Sequence, residues 1–148
     1  ARSGEVRGMV WDEVDLSARL WVIPAERMKA GREHRIPLSD AAVALLRQQE
    51  QVLLAGVNLV FPSVRDHKPL SDMTLTAVLR RMQRNDLTVH GFRSTFRDWA
   101  AEATDYPQEM AEMALAHVVS NKVEAAYRRG DMLEKRREMM QKWAEFIL

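Results

Sequence analysis

The chain has 148 residues, 47% of them hydrophobic and 29% charged, with no cysteine and a formal net charge of +1. That length suits one domain with its own core, and the composition excludes a disordered, collagenous or coiled-coil chain. Without cysteine there is no disulfide framework, thiolate metal site or cysteine nucleophile, and no apolar run approaches the ~20 residues of a membrane span, so a soluble cytoplasmic protein is expected.

Ala1 is followed directly by Arg2, Ser3, Gly4 and Glu5 with no initiating methionine, which reads as a domain cut from a longer protein. Trp21-Val22-Ile23 before Pro24, and His34-Arg35-Ile36-Pro37-Leu38, are β-favouring runs. The charged stretch between them contains Gly31, so the pattern predicts an antiparallel hairpin with a long tip loop. Met9 to Leu16, with Val10, Trp11 and Val14, is expected to supply a third strand.

From Ser39 onward the signals are helical. Ser39 or Asp40 is expected to cap a helix through Val43, Leu46 and Leu53 that stops near Gly56. Ser71 is expected to cap the next, where Leu75, Val78, Leu79 and Met82 recur at spacings of three and four and leave Arg80, Arg81 and Arg84 on other faces. After His90-Gly91, the residues Phe92, Phe96, Trp99, Ala100 and Ala103 predict a helix fixed in the core. Pro107 suits the first turn of a helix holding Met110, Met113 and Ala114. Asn121 and Glu124 form a capping-box pattern for a short helix carrying Tyr127, ended by Gly130. Leu133, Met140, Ala144 and Ile147 line a terminal helix. The sum is an α+β domain, mostly α-helical, with a small N-terminal three-stranded antiparallel sheet and a helical bundle.

Charge is segregated along this chain. Residues 80–97 hold five arginines against Asp86, a net +4, and residues 122–137 a net +3, so the remainder sums to −6. Such a basic face on an acidic body suits a polyanion ligand. Signatures of small-molecule enzymes are missing. His34, His67, His90 and His117 are widely spaced, with no HExxH and no carboxylate cluster at ligand spacing, so no metal is expected. The six glycines make neither a P-loop nor a dinucleotide fingerprint, and there is no GxSxG elbow. What remains is an ordered set of cations, imidazoles and one phenol: Arg2, Lys29, His90, Arg93, His117 and Tyr127. His90 and Arg93 are three apart, so on a helix both project to one side and can face a phosphate together.

That set resembles the catalytic domain of the tyrosine recombinases, the phage and prophage integrases. The matching stretches are Arg2-Ser3-Gly4-Glu5, the loop Glu26-Arg27-Met28-Lys29-Ala30-Gly31-Arg32-Glu33-His34-Arg35, then His90-Gly91-Phe92-Arg93-Ser94-Thr95-Phe96, and Leu115-Ala116-His117 with Tyr127. The Lys29 loop and Val123-Glu124-Ala125-Ala126-Tyr127 are similar to the prophage integrases that insert at tRNA genes. The resemblance covers essentially the whole of residues 1–148 and implies a C-terminal catalytic domain whose core-binding and arm-binding domains are absent.

It also implies roles. Arg2 and Arg93 would clamp the scissile phosphate, His117 would donate a further hydrogen bond, and His90 would accept or organise the phenolic proton. Tyr127 would attack to give a 3′-phosphotyrosine, and Lys29 would protonate the departing 5′-oxygen, with neither metal nor ATP. Arg27, Arg32, Arg35, Arg80, Arg81 and Arg84 are candidate contacts to DNA phosphates. Glu5 would be a buried acid of the family type, or else an exposed partner of Arg2. Many family members have glycine where Ala116 stands. The implied partners are double-stranded attachment-site DNA, three further copies on that DNA, and a DNA-bending accessory protein, with a monomer expected for the isolated domain. Relaxation of supercoils in the manner of a type IB topoisomerase, a non-catalytic DNA-binding module and a helical protein-interaction domain are the competing readings.

Overall fold

A computed structural model of the chain describes residues 1–117 and 130–148. Its described elements are six helices and one three-stranded sheet. Helix α1 (Ser3–Arg7) leads through a 3₁₀ turn at Trp11–Glu13 into β1 (Val14–Asp15), β2 (Leu20–Ile23) and β3 (His34–Pro37). The strands form an antiparallel meander in the order β1-β2-β3, with Val14 opposite Trp21 and Trp21 opposite Ile36. The third strand thus lies within the expected segment, though only two residues long. The β2–β3 hairpin carries the long tip loop that its charge and Gly31 predicted.

Helix α2 (Asp40–Glu50) starts where the sequence places it, with the Ser39 hydroxyl accepting the Ala42 N–H. It ends earlier than expected. The N–H groups of Gln51, Val52 and Leu53 bond three residues back, tightening the exit, and Leu53 is 50% exposed instead of continuing the apolar face. Among the described residues, Val43 and Leu46 are the last buried positions on this face. Helix α3 (Thr74–Arg81) begins two residues later than a Ser71 cap requires, because the Ser71 hydroxyl pairs with the Thr74 hydroxyl. Helix α4 (Gly91–Glu102) buries Phe96, Trp99 and Ala100, whereas Phe92 is 52% exposed at the mouth of a cleft and Ala103 is exposed beyond the helix end. Helix α5 (Gln108–Ala114) follows Pro107 as expected, and α6 (Leu133–Ile147) closes the chain. The predicted helix around Tyr127 lies outside the described residues.

Two apolar clusters result. One gathers Trp21, Ile23 and Leu38 of the hairpin region with Val43 and Leu46 of α2. The other gathers Phe96, Trp99 and Ala100 with Met110, Ala111, Leu115 and the fully buried Met139 of α6. The α6 face turned inward buries Leu133, Arg136, Met139 and Ala144, with the predicted Met140 packed partly buried against the same cluster, whereas Ile147 of the predicted stripe is exposed. Helix α6 thereby packs on its own core. Its Trp143 ring meets Phe96 edge-on at 5.4 Å between centroids.

Arg136 is the joint between the two clusters. It is 1% exposed, although it falls in the basic segment 122–137 that the sequence offers as part of a polyanion-binding face. Its guanidinium donates to the Arg35 carbonyl of β3 at 2.8 Å and to the Asp131 carboxylate at 3.1 Å, while its Nε donates to the Asp131 carbonyl. A buried charge is tolerable only with such a complete set of acceptors. Beside it, burial and then the Arg136 charge push the buried His34 imidazole down to about 4, against a hydrogen bond that the ring donates to the Ala114 backbone and that favours the charged form.

The sign of that shift sets a pH dependence. His34 takes a proton near 6.5 in the unfolded chain but only near 4 in the fold, so protons favour unfolding between those values. Stability is expected to fall by up to roughly 3 kcal/mol as pH drops through this window. His34→Asn should flatten that slope in urea denaturation measured from pH 7 to 4; an unchanged slope would assign it elsewhere.

Candidate active site

Arg2 is placed by its own local chemistry. It caps α1 in an extended conformation, and Glu5, three residues on, accepts both the Arg2 backbone N–H and its Nη1 at 2.8 Å. Glu5 is 6% exposed, which joins the two readings of the sequence: it is buried, and it is the partner of Arg2. Burial opposes its ionisation, but the two hydrogen bonds from Arg2 outweigh this and hold the carboxyl below its usual value. Arg27 supports α1 from beneath, donating to the Glu5 carbonyl at 2.6 Å and pairing with the Glu13 carboxylate. Its guanidinium is therefore engaged inside the fold. A side chain at Gly8 would stand 2.8 Å from that guanidinium, so glycine is what lets Arg27 pass.

The start of α4 supplies the second half. The Thr88 hydroxyl accepts the Gly91 N–H at 3.0 Å, and His90 stands at the helix N-cap with helical dihedrals, so His90 and Arg93 keep the one-sided relation expected of them. Arg2, His90 and Arg93 line a common cleft of about 460 Å³, closed on its apolar side by Phe92, Met140 and Trp143. Arg93 donates through Nη2 to the Leu115 carbonyl at 2.7 Å and lies 3.1 Å from His117 Nε2. Burial first, and then the Arg2 charge, push the Arg93 guanidinium below its usual value, with Glu5 offsetting part of this. The two arginines thus feel each other's charge. Among the described residues, Arg93 Nη1 is buried without a hydrogen-bond partner. An oxyanion entering the cleft would satisfy it and relieve the repulsion.

His117 arrives by a sharp turn. Ala116 has φ of 53°, in the left-handed region, and the His117 N–H returns to the Glu112 carbonyl at 2.9 Å. Only glycine takes such a φ without cost, so the alanine at this position holds the turn under strain. The His117 Nδ1 meets the Glu112 carboxylate, whose other oxygen accepts from Arg97 Nε at 2.7 Å. Burial raises the Glu112 carboxyl, and the hydrogen bonds from His117 and Arg97 pull it lower still, leaving it below its usual value. Glu112 and Arg97 were not among the sequence-derived candidates. Their signal is spacing: Arg97 lies one turn beyond Arg93, and Glu112 five residues before His117.

Of the six expected site residues, Arg2, His90, Arg93 and His117 come together. Lys29 stands exposed on the hairpin tip and does not line the cleft, and Tyr127 lies outside the described residues. Among the other arginines, Arg32, Arg80 and Arg81 are exposed, Arg35 lies 3.5 Å from the Asp131 carboxylate, and Arg84 grips Asp86 with two nitrogens at 3.0 and 2.8 Å. No described helix is long and apolar enough to cross a membrane.

A family model described as "Phage integrase family" matches residues 1–134. The chain is 41% identical to "Prophage integrase IntA" of Escherichia coli (strain K12), over 99% of this chain and 35% of that protein. It is 36% identical to the "Integrase" of Enterobacteria phage P4, over 99% of this chain and 37% of that protein. It is 32% identical to the "Integrase" of Shigella phage Sf6, over 99% of this chain and 38% of that protein. The chain therefore spans little more than a third of the length of these curated relatives. No solved structure matches it significantly.

The left-handed Ala116 gives a direct test of the turn. Ala116→Gly removes a strain of about 1–2 kcal/mol and adds unfolded-state freedom worth about 0.5–1 kcal/mol. A net gain of about 0.5–1 kcal/mol in denaturant unfolding is expected. A loss would mean that the packing of the methyl group outweighs the strain.

Proposed function

The chain belongs to the phage integrase family, and from that premise we propose that it is the catalytic domain of a site-specific recombinase that cuts and rejoins DNA through a covalent 3′-phosphotyrosine. The observation that carries this reading is the convergence of Arg2, His90 and Arg93 on one cleft, with Arg93 in contact with His117. A phosphodiester repels nucleophiles, and its pentacoordinate transition state gathers further negative charge on the non-bridging oxygens. Guanidiniums fixed in advance stabilise that charge without reorganising as it develops.

In the proposed reaction Arg2 and Arg93 hold the scissile phosphate, and His117 contributes a hydrogen bond to the same oxygens. The Tyr127 hydroxyl attacks phosphorus while His90 takes its proton. The bond from phosphorus to the 5′-oxygen breaks, and Lys29 protonates the departing oxygen. A phosphotyrosine and a free 5′-hydroxyl result, so the bond energy is retained and the reverse attack reseals a strand without ATP. The exposure of Lys29 on the hairpin tip agrees with a group that meets DNA only once the duplex is seated.

The exposed Arg32, Arg80 and Arg81 are the first candidates for phosphate contacts, whereas Arg35 and Arg84 would exchange carboxylate partners for DNA, and Arg27 would have to leave Glu13. Because the chain spans little more than a third of its relatives, we assign to it the strand-transfer chemistry. Grip on the attachment site is assigned to core-binding and arm-binding domains of a longer protein, with four copies assembling on bent DNA.

Suicide att-site duplexes, nicked so that the 5′-fragment escapes, should yield a covalent protein–DNA adduct with the wild-type chain and none with Tyr127→Phe. Arg93→Ala should lower adduct formation by about 10²–10³-fold, the usual effect of removing a donor to a transition-state oxyanion. Equal adduct from wild type and Tyr127→Phe would remove Tyr127 as nucleophile, and salt-sensitive binding with no adduct on any substrate would favour a non-catalytic DNA-binding module.

A further inference from the structure

Helix α4 presents Arg93 and Arg97 one turn apart, and between them and the chain after α5 lies a continuous line of contacts. Arg97 Nε donates to one oxygen of Glu112, the other oxygen of Glu112 meets His117 Nδ1, and His117 Nε2 lies 3.1 Å from Arg93 Nη2. The donor rules decide the ring's state. Arginine has no acceptor, so His117 Nε2 must present its lone pair to Arg93; an ionised carboxylate has no donor, so Nδ1 must carry the hydrogen. The ring is thereby fixed in one tautomer and one orientation, with Nε2 toward the arginine that lines the cleft.

Nothing in the described fold requires this line for packing. The Glu112 side chain is 20% exposed and that of Arg97 52%, and neither belongs to the apolar core formed by Phe96, Trp99 and Met139. A partly exposed ion pair contributes little to stability. Its product is the orientation of His117.

We propose that Glu112 is a positioning residue for strand cleavage, holding His117 so that Nε2 faces the scissile phosphate, with Arg97 fixing the carboxylate from behind. This rests on the reading of the cleft as a phosphotransfer site. A phosphodiester oxygen drawing Arg93 away frees Nε2, which can then take a proton from solvent and donate it as a hydrogen bond to that oxygen. The ring keeps its anchor at Nδ1 throughout. Without the carboxylate, the hydrogen can sit on either nitrogen and the ring can turn; an amide at position 112 can even donate to Nδ1 and impose the opposite tautomer.

Two measurements test this. In the DNA-free chain, nitrogen-15 NMR of the imidazole should show the Nδ1–H form of His117 in the wild type and a substantial Nε2–H population in Glu112→Gln. On suicide duplexes, Glu112→Gln should form adduct about 10–100-fold more slowly, with DNA affinity within twofold of wild type, and Glu112→Asp should recover part of the loss. In a His117→Ala background, Glu112→Gln should cost nothing more, because a residue acting only through His117 has nothing left to position. A wild-type rate in Glu112→Gln, or the same loss with and without His117, overturns the proposal while leaving the recombinase reading intact. No adduct from the wild-type chain, with the Nδ1–H form still present, overturns the recombinase reading and with it the role in cleavage.

Discussion

Two guanidiniums facing one cleft repel each other, and the buried carboxylate of Glu5 is what allows Arg2 to stand beside Arg93. It does so through the backbone and the side chain of the same residue, so the charge and the start of α1 are fixed together. Arg93 is held from the other side by a neutral acceptor, the Leu115 carbonyl, which orients it without cancelling its charge. The asymmetry matters. A second carboxylate on Arg93 would make the cleft neutral and remove its attraction for an anion, whereas no carboxylate at all would leave two half-buried like charges with a desolvation cost and nothing against it. One acid for two arginines leaves the cleft positive.

This arrangement makes the cleft depend on the joint between the two apolar clusters. Arg2 belongs to the sheet side through Arg27 and Glu13, and Arg93 belongs to the helical side through Phe96 and Leu115. Helix α6 ties the sides, with Arg136 bonded to the β3 backbone, Gln141 accepting the Asp40 N–H at the head of α2, and Met139 sealed among α4 and α5. Backbone acceptors for buried or half-buried arginines recur at each joint: Arg27 to Glu5, Arg93 to Leu115, Arg136 to Arg35, Arg137 to Arg19. A carbonyl is positioned by its own secondary structure, so each such bond transmits the placement of one element to another with little freedom.

Much of the fold is legible in the sequence because its signals are local. The β-favouring runs around the charged loop, Ser39 before α2 and Pro107 before α5 each act within a few residues of where they stand. The departures are where tertiary contact decides. Leu53 has the right spacing for the α2 face but stands beyond the helix end and half-exposed, and Phe92 has the right residue type for burial but opens onto the cleft. Arg136 reads only as one cation of the basic segment 122–137, because nothing in its neighbourhood along the chain reveals that the Arg35 carbonyl, 101 residues earlier, is waiting for it. The site shows the same division. Arg2, His90, Arg93 and His117 are recognisable as an ordered set of residue types suited to a phosphate. Glu112 and Arg97 are invisible individually, since a glutamate and an arginine on helical surfaces are ordinary, and only the turn at Ala116 brings them into line with His117.

That turn also explains a division of labour within the proposed reaction. Charges that stabilise a transition state are effective in proportion to how little they move when it forms, and these are the ones carried on helix starts and anchored by buried groups. Groups that transfer a proton to a leaving strand must instead approach after the duplex is in place, and Lys29 is carried on an exposed hairpin tip whose Gly31 adopts a φ of 62°. Helix ends supply preorganised charge, and a tip loop supplies reach. His117 stands between the two classes: it follows a helix, on a strained turn, and the contacts of Glu112 and Arg97 give a loop residue the fixed orientation that Arg2 and Arg93 receive from their helices.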